Sequence, residues 1–431
     1  MSDGLFASNF KAMPYWWDGH AEPPVAPAAL PSKADVVVIG SGFTGLSAAL
    51  TLARAGRDVA VLETDRPGFG CSTRNGGHLG PGIRNSYADL SAAFGKDEAY
   101  ALKKEGHDAY KFTTDLIERE GIDCRFVRRG HFVGAHTPRS FDRLRAMADS
   151  EPREFEEIRV VEKKDVRREV GTDAFHGALV YPNCGGLDPK LYHQGLMDRV
   201  RQAGVRVFGQ TPATGIEGSA GRFTVTTPRG PVATRDVVVA TNGYTGTATP
   251  WWRRRIIPIG SYIIATEALA PGQMERLCPN GYQMNETRRV VYYYRPSPDG
   301  KRILFGGRVA LYETDPRVSA PRLHAAMSRV FPELRSVKIT HSWMGFVAFT
   351  FDHLPHIGVH DGIHFAMGYC GNGVPLATYL GHKLANQIMQ RADGRSIFQN
   401  HKFQTRPLYY GKPWFLAPTL MYYKFKDRFL A

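Results

Sequence analysis

Several features that would indicate other classes of protein are missing from this 431-residue sequence. Its five cysteines are odd in number, widely spaced and never arranged as CxxC, so neither a disulfide framework nor a structural zinc site is indicated. No apolar run reaches the roughly eighteen residues of a membrane-spanning helix. The start of the chain has no basic region followed by an apolar run, so we expect no cleaved secretory signal. From these absences we expect a protein located in the reducing cytoplasm, with a functional site that contains no metal.

The sequence also has no internal repeat and no low-complexity tract. Its composition, 43% hydrophobic and 22% charged, is that of an ordinary globular protein, and its length favours two domains. The formal net charge of +14 is compatible with an anionic cofactor and substrate, a membrane surface or a nucleic acid. The basic residues are dispersed and no RNA-binding module is visible, so we expect no nucleic-acid partner.

The N-terminal arm, residues 1–33, is rich in proline and alanine, as in "AEPPVAPAALPSK". It also contains "PYWWD", and two adjacent tryptophans would be costly to leave in water. We therefore expect the arm to dock on the rest of the protein.

A nucleotide-binding fingerprint follows the arm. "ADVVVIG" has the pattern of a strand buried on both faces, and a helix pattern then runs to Gly56. Gly40, Gly42 and Gly45 form GxGxxG at this junction, and Glu63 ends the next strand, "DVAVLE". These glycines allow a tight turn, close approach to a pyrophosphate and close helix–strand packing, and the acid can accept hydrogen bonds from a ribose. The fingerprint predicts a dinucleotide but does not distinguish FAD from NAD.

A second glycine-rich stretch, "GFGCSTRNGGHLGPG" at residues 68–82, favours FAD. A nicotinamide domain does not need such a loop directly after the acid, whereas an extended FAD has a ring that backbone must reach. Gly76 and Gly77 would allow that approach. Ser72, Arg74 and Asn75 would offer hydrogen bonds to phosphate, ribitol or ring.

Five ordered segments together carry a family resemblance: "VVVIGSGFTGLSAALTLARAG…VAVLE", "GFGCSTRNGG", "VVVATNGY", "GFVAFTFDHLPHIG" and "FAMGYCGNGV". They resemble the D-amino-acid-oxidase-like FAD-dependent oxidoreductases, and within them the gamma-glutamylputrescine oxidase and sarcosine-oxidase-like secondary-amine oxidoreductases. The resemblance implies an α/β fold, with a Rossmann-like FAD-binding domain interleaved with an antiparallel-sheet substrate domain.

The strand types agree with such a division, because parallel-type strands occur towards both ends of the chain and antiparallel-type strands between them. We assign residues 34–85, 155–250 and 338–400 to the FAD-binding domain. Residues 86–154 and 251–337 form the substrate domain, and 401–431 form a basic aromatic C-terminal tail.

The FAD contacts that the resemblance implies are Gly40, Gly42, Phe43, Thr44, Gly45, Glu63, Ser72, Arg74, Asn75, Gly76, Gly77, Thr241, Asn242, Gly371, Asn372, Gly373 and Val374.

Some relatives tether the flavin to cysteine or histidine. This chain has Val347 and Asn75 at about those positions, so we predict noncovalent FAD. Relatives often show GHG where this chain has Gly371-Asn372-Gly373. A helix beginning near Pro375 would direct its N-terminus at the ring edge that becomes negative on reduction.

The implied chemistry is oxidation of an amine or amino acid, with hydride transfer to flavin N5 and hydrolysis of the resulting imine. A substrate carboxylate would need an arginine anchor, for which Arg308 is the first candidate and Arg84 the second. Tyr292 and Tyr294 are candidate pocket residues on a predicted strand, where alternate side chains face opposite ways. The electron acceptor is O2 or a quinone.

Other interpretations remain open at this point. The tail "KPWFLAPTLMYYKFKDRFLA" interleaves aromatics with basic residues, which suits a membrane-surface dehydrogenase that feeds quinone, docking on the body or self-association. One branch of the resembling family modifies transfer RNA, which gives a second alternative. A flavin-binding scaffold without turnover is a third.

Overall fold

The computed structural model describes residues 4–20, 29–155 and 157–429. Its strands are β1 (Phe6–Lys11), β2 (Lys33–Ile39), β3 (Val59–Leu62), β4 (His78–Leu79), β5 (His131–Gly134), β6 (Arg159–Glu162), β7 (Gly177–Tyr181), β8 (Gly185–Gly186), β9 (Arg206–Phe208), β10 (Gly215–Ser219), β11 (Arg222–Thr226), β12 (Val232–Val239), β13 (Ile257–Thr266), β14 (Gln283–Glu286), β15 (Tyr292–Pro296), β16 (Ile303–Gly307), β17 (Ile339–Phe349), β18 (His356–His360) and β19 (Ile363–Met367). Its α-helices are α1 (Phe43–Arg54), α2 (Tyr87–Phe94), α3 (Lys96–Arg119), α4 (Pro138–Ser150), α5 (Val166–Glu169), α6 (Pro189–Gln202), α7 (Pro250–Arg253), α8 (Gln273–Leu277), α9 (Pro316–Val330), α10 (Gly373–Ile388) and α11 (Leu416–Phe429).

The nucleotide sheet has the order β10-β11-β12-β2-β3-β9, and the β18–β19 hairpin joins it through β19 and β12. The pairs β12–β2, β2–β3, β3–β9 and β12–β19 are parallel. Val36, Val37 and Val38 of β2 are fully buried, because apolar residues cover both faces of the sheet. Helices α1 and α10 pack together on one face. The uninterrupted β-branched runs in the sequence thus form central parallel strands, as predicted.

The substrate sheet has the order β1-β17-β13-β16-β15-β14-β5-β7-β6. Most of its neighbouring strands are antiparallel, and β15 and β16 form the hairpin predicted around the Pro-Asp-Gly turn. Helix α9 covers one face through Leu323 and Met327. The predicted combination of an α/β nucleotide domain with a mainly antiparallel second sheet is confirmed.

Three segments lie in a different domain from the one the sequence suggested. Strands β6 and β7 belong to the substrate sheet although they fall within 155–250, and β17 belongs to it although it falls within 338–400. Helix α3 packs on α10 and buries Leu102 and Ala109 in the nucleotide-domain core, although it falls within 86–154. A local pattern identifies a strand or helix but not the distant element that it pairs with, so these boundaries could not be read from spacing.

The N-terminal arm docks on the substrate sheet, as expected. Strand β1 adds to its edge in parallel with β17, and Trp16 in the following turn is only 1% exposed. Residues 1–3 and 21–28 of the arm lie outside the described residues.

Candidate functional site

A cavity of about 1270 Å³ lies between the two sheets. One part is lined by the start of α1, Glu63 and the glycine-rich loop, and another by side chains of the substrate sheet and α11. Ligand pockets usually measure about 300–1,000 Å³, so this cavity has room for a large cofactor together with a substrate.

The fingerprint glycines are required by the packing of the turn between β2 and α1. Gly40 has φ +105°, and a β-carbon there would lie 2.9 Å from the carbonyl oxygen of Ala240. A β-carbon on Gly45 would overlap the carbonyl oxygen of Gly40. Helix α1 therefore lies close to its strand, and Gly42, its N-cap, lines the cavity. The helix N-terminus offers positive potential to an anion there.

Glu63 lies beside this turn at the end of β3. One carboxylate oxygen, Oε2, accepts hydrogen bonds from the amide and hydroxyl of Ser41 at 3.0 and 2.7 Å. The other, Oε1, accepts from the amide of Asp65 at 3.2 Å. Since each carboxylate oxygen can accept more than one bond, the group is held in place with capacity left for a ribose hydroxyl.

The polar side chains of the glycine-rich loop bond mainly within the protein. Ser72 Oγ accepts the amide of Phe43 at 3.0 Å. Asn75 donates to the carbonyls of Cys71 and Ser72 and accepts the amide of Gly77. Arg74 donates to the carbonyls of Phe69 and Met344. These side chains shape the loop, and the loop as a whole, rather than a set of free side chains, faces the cavity.

Three tryptophans, here called the tryptophan clamp, fix this loop from outside. The indole nitrogens of Trp16 and Trp343 donate to the carbonyls of Asn75 and Arg74, each at 2.9 Å. The indole of Trp17 donates to Thr73 Oγ1 at 2.9 Å, and the Arg74 guanidinium lies 4.4 Å from the Trp17 ring centre. The paired tryptophans of the arm thus hold the loop that lines the cavity, a role their sequence did not indicate.

The turn formed by Gly371, Asn372 and Gly373 at the start of α10 forms another part of the cavity wall. Gly371 has φ +106° and open space around it, while Asn372 is the N-cap of α10 and donates to the carbonyl of Gly82 at 3.0 Å. Asn242 braces the same region by accepting the amide of Gly368 at 2.9 Å, and Thr241 bonds Thr245. The sixteen-residue helix α10 therefore begins at the cavity.

Fifteen of the seventeen predicted cofactor contacts line this cavity; Gly45 and Gly77 do not. A β-carbon on Gly77 would overlap the carbonyl oxygen of Leu187, so this glycine, like Gly45, permits close packing behind the wall.

The C-terminal tail completes the far end of the cavity. Leu416, Thr419, Leu420 and Tyr423 of α11 line it. Asp427 anchors the helix by accepting the amides of Arg289 and Val290 at 3.0–3.3 Å. The sequence left docking on the body as one of several roles for the tail, and the structure shows that contact.

Comparisons with known proteins agree with this geometry. The FAD dependent oxidoreductase family matches residues 35–387. The chain belongs to that family. A probable oxidoreductase, OrdL, of Haemophilus influenzae is 32% identical over 407 residues, 92% of each chain. The gamma-glutamylputrescine oxidoreductase of Escherichia coli is 32% identical over 377 residues, 85% of this chain and 86% of that one. The crystal structure of glycine oxidase from Geobacillus kaustophilus shares the fold, with a TM-score of 0.71 at 21% identity, covering 88% of this chain and 99% of that one.

The cofactor of this flavoenzyme is FAD, and the residues present fit it. The crowding around Gly40 and Gly45 brings the α1 N-terminus against the cavity, where a pyrophosphate would sit. Glu63 has a carboxylate oxygen available for a ribose hydroxyl, and the open space at Gly371 would let backbone approach the flavin ring.

No helix in the described part of the chain is long and apolar enough to cross a membrane.

The part of the cavity lined by the substrate sheet contains a different tyrosine from the two predicted from the sequence. Tyr293 lines the cavity and shares a 2.8 Å hydrogen bond with Ser261. Tyr294 is fully buried in the core and stacks on Phe305, and Tyr292 packs against the same core. Side chains alternate between the two faces along β15, and Tyr293 is on the cavity side. The prediction that Tyr292 and Tyr294 line the pocket is therefore wrong.

The two candidate arginines, Arg308 and Arg84, differ in the hydrogen bonds and ion pairs that they make within the protein. Arg308 is buried, and it donates to the carbonyls of Gly260 and Leu311 and pairs with Glu313 at 2.7 Å. Arg84 is exposed at the cavity, with its guanidinium 5.2 Å from the Phe349 ring centre. It has no hydrogen bond or ion pair to the described residues.

Two half-buried histidines lie beside Tyr293. His78 meets the rings of His131 and Tyr293 edge-on at 5.9 and 5.8 Å, and His131 Nε2 lies 3.0 Å from Asn285 Oδ1. Burial lowers the pKa of His131 to about 4 and holds the pKa of His78 well below its ordinary value. His78 Nε2 is buried with no partner within the described residues. Sequence reasoning gave His78 no role and missed His131, because lone histidines carry no spacing signal.

The lowered pKa values of His78 and His131 predict that the folded protein loses stability in mild acid. Their folded pKa values lie below the unfolded value near 6.5, so the unfolded chain binds more protons as the pH falls from 6.5 towards 4. We expect His131→Gln to reduce the slope of unfolding free energy against pH in that window by at most about 1.4 kcal/mol per pH unit. Urea unfolding at several pH values measures this slope. His360→Gln, outside the cavity, is the control, and an unchanged slope in the His131 variant contradicts the prediction.

Proposed function

We propose that this flavoenzyme oxidises the C–N bond of a secondary amine or N-substituted amino acid to an imine, which water hydrolyses to a carbonyl compound and an amine. When bound, noncovalent FAD supplies the hydride acceptor. The observation that carries the proposal is one continuous cavity with glycine turns and Glu63 at one end and half-buried, neutral histidines at the other. The gamma-glutamylputrescine oxidoreductase and glycine oxidase relatives support the amine or amino acid class.

The chain's own residues would favour the reactive, neutral form of the amine. Arg84 and Arg289 line the cavity, and nearby positive charge lowers the pKa of an ammonium group. His78 and His131 are uncharged at neutral pH and can exchange hydrogen bonds with substrate without trapping it as an ion pair. Tyr293 and Asn285 add further neutral donors or acceptors at the same end.

Noncovalent binding of FAD is supported by the thiols of the cavity wall. Cys71, Cys184 and Cys370 line the cavity. Burial raises the pKa of Cys71 and of Cys370 to about 11. A thiol is a poor nucleophile compared with its thiolate, so neither is poised to form a flavin bond. All five cysteines are free, which suits the cytoplasmic location that we propose.

Anaerobic bleaching of the purified flavoprotein tests the reaction class. Secondary amines, polyamine conjugates and D- and L-amino acids would each be mixed with the holoenzyme without oxygen. We expect rapid loss of the flavin absorbance with at least one N-substituted compound. Peroxide formed on readmitting air identifies O2 as the acceptor, and a quinone requirement identifies the alternative. A flavin that no compound in the panel bleaches contradicts the proposal.

Arg84 is our proposed anchor for a substrate carboxylate, in preference to Arg308, whose charge Glu313 already balances. Charge-assisted hydrogen bonds contribute about 1.5–3 kcal/mol, so Arg84→Met should raise KM by about ten- to a hundredfold. The effect should be confined to N-alkyl amino acids and absent for the matching N-alkylamines.

Steady-state kinetics on both compound classes checks this expectation. Arg168→Met is the matched control, because that arginine is highly exposed and does not line the cavity. Equal KM changes for amino acids and amines would show that Arg84 does not recognise the carboxylate.

A further inference from the structure

Helix α11 is apolar around most of its circumference. Leu416, Leu420 and Tyr423 face the substrate cavity. On the opposite side, Met421, Tyr422 and Phe425 are 52–53% exposed. A helix with apolar residues on every side is normally covered on every side. Here the described residues cover one side only.

The exposed side extends over α11 from Pro418 to Phe425. Pro418, Met421 and Phe425 recur at intervals of three or four residues, which places them in one row on the helix. Trp414, in the turn before the helix, is 63% exposed as well. Leu408 and Tyr410 are also largely exposed. Six of the fourteen large apolar side chains that are exposed in the described parts of the chain thus fall between 408 and 425. We call Trp414, Pro418, Met421, Tyr422 and Phe425 the outer face.

The charges around the outer face have one sign. The basic residues of residues 402–427 are Lys402, Arg406, Lys412, Lys424 and Lys426, and all are exposed except Lys426, which is half-buried. Asp427 points inwards, because its carboxylate accepts the amides of Arg289 and Val290. An approaching partner therefore meets apolar and aromatic side chains surrounded by positive charge.

We propose that the outer face docks this flavoenzyme on the surface of a bilayer that contains anionic lipid. Aromatic and aliphatic side chains enter the headgroup boundary, and the neighbouring lysines are attracted to the anionic surface. A second copy of the chain fits less well, because a two-fold contact would bring the same lysines against one another. Docking in this way places the wall of the substrate cavity next to the lipid.

Vesicle co-sedimentation of the full-length holoenzyme tests the proposal. Vesicles of phosphatidylglycerol and phosphatidylcholine are compared with vesicles of phosphatidylcholine alone. We expect binding to the mixed vesicles to be at least about tenfold tighter, and to weaken as salt rises from about 0.1 to 0.5 M. The triple variant Met421→Ser, Tyr422→Ser and Phe425→Ser should bind the mixed vesicles about a hundredfold more weakly.

A double variant, Val318→Ser and Val359→Ser, is the matched control, because those valines are 53% and 54% exposed elsewhere on the surface. The triple variant should keep its flavin absorbance and its activity in solution, since none of its three positions lines the cavity. The proposal is overturned if the wild-type protein ignores anionic vesicles or if the triple variant binds them equally well. It is also overturned if analytical ultracentrifugation shows a dimer that the triple variant abolishes, because a second copy then covers the outer face.

Discussion

Gly45→Ala should remove FAD binding and destabilise the protein by about 1–3 kcal/mol. The new methyl group would overlap the carbonyl oxygen of Gly40 and lie 3.2 Å from the Val38 side chain. Val38 is fully buried in the central strand and Gly40 belongs to the turn that follows it, so we expect α1 to move away from β2. That movement would displace the helix N-terminus at which we expect the pyrophosphate to bind. The ratio of flavin to protein absorbance and urea unfolding of the apoprotein measure the two effects.

Gly246→Ala provides the matched control for this substitution. A β-carbon on Gly246 meets nothing within 4 Å, and the backbone there does not need left-handed geometry. This control should retain wild-type FAD content and stability. A Gly45 variant with full FAD content would show that α1 does not need its close contact with the strand.

Trp16→Ala should have the second large effect. Truncating a buried tryptophan costs about 3–5 kcal/mol, and the loss here also frees the carbonyl of Asn75 in the loop that faces the cofactor. We expect weaker FAD retention as well as a lower midpoint of urea unfolding. Trp414→Ala is the control, since that side chain is 63% exposed, and it should change neither quantity.

Trp17→Phe separates loop positioning from general loss of packing. The substitution keeps an aromatic ring but removes the donor to Thr73 Oγ1, a bond that contributes about 0.5–1.5 kcal/mol. If the tryptophan clamp sets the loop, FAD dissociation by dialysis should quicken while the apoprotein unfolds almost as before. Equal losses of FAD affinity and apoprotein stability would assign the arm a purely structural role.

The cofactor cradle could be predicted from the sequence because its determinants are local. The spacing of Gly40, Gly42 and Gly45 between a buried strand and a helix, followed by Glu63, specifies a turn whose geometry depends on adjacent residues. The same holds for Gly371 at the start of α10. The family resemblance added the positions of Thr241 and Asn242, which the pattern alone did not indicate.

The substrate end could not be predicted in the same way, because it depends on side-chain direction and on distant pairing. One residue of register decides whether Tyr293 or its neighbours face the cavity. Arg308 has the residue type of a carboxylate anchor, but it is already paired with Glu313, and that contact depends on the loop after β16. Tyr423 lines the cavity because α11 packs against it, and that packing cannot be predicted from the local sequence.

The pairing of β1 with β17 has a consequence for biosynthesis. Phe6 pairs with Ile339, so the first strand leaves the ribosome roughly 20 to 70 seconds before its partner at ordinary translation rates. Until then, Trp16 and Trp17 lack the completed edge on which their segment rests. A nascent chain arrested before β17 also lacks Trp343, which donates to the carbonyl of Arg74. We therefore expect such a chain to retain the yellow chromophore less firmly than one that has passed this point.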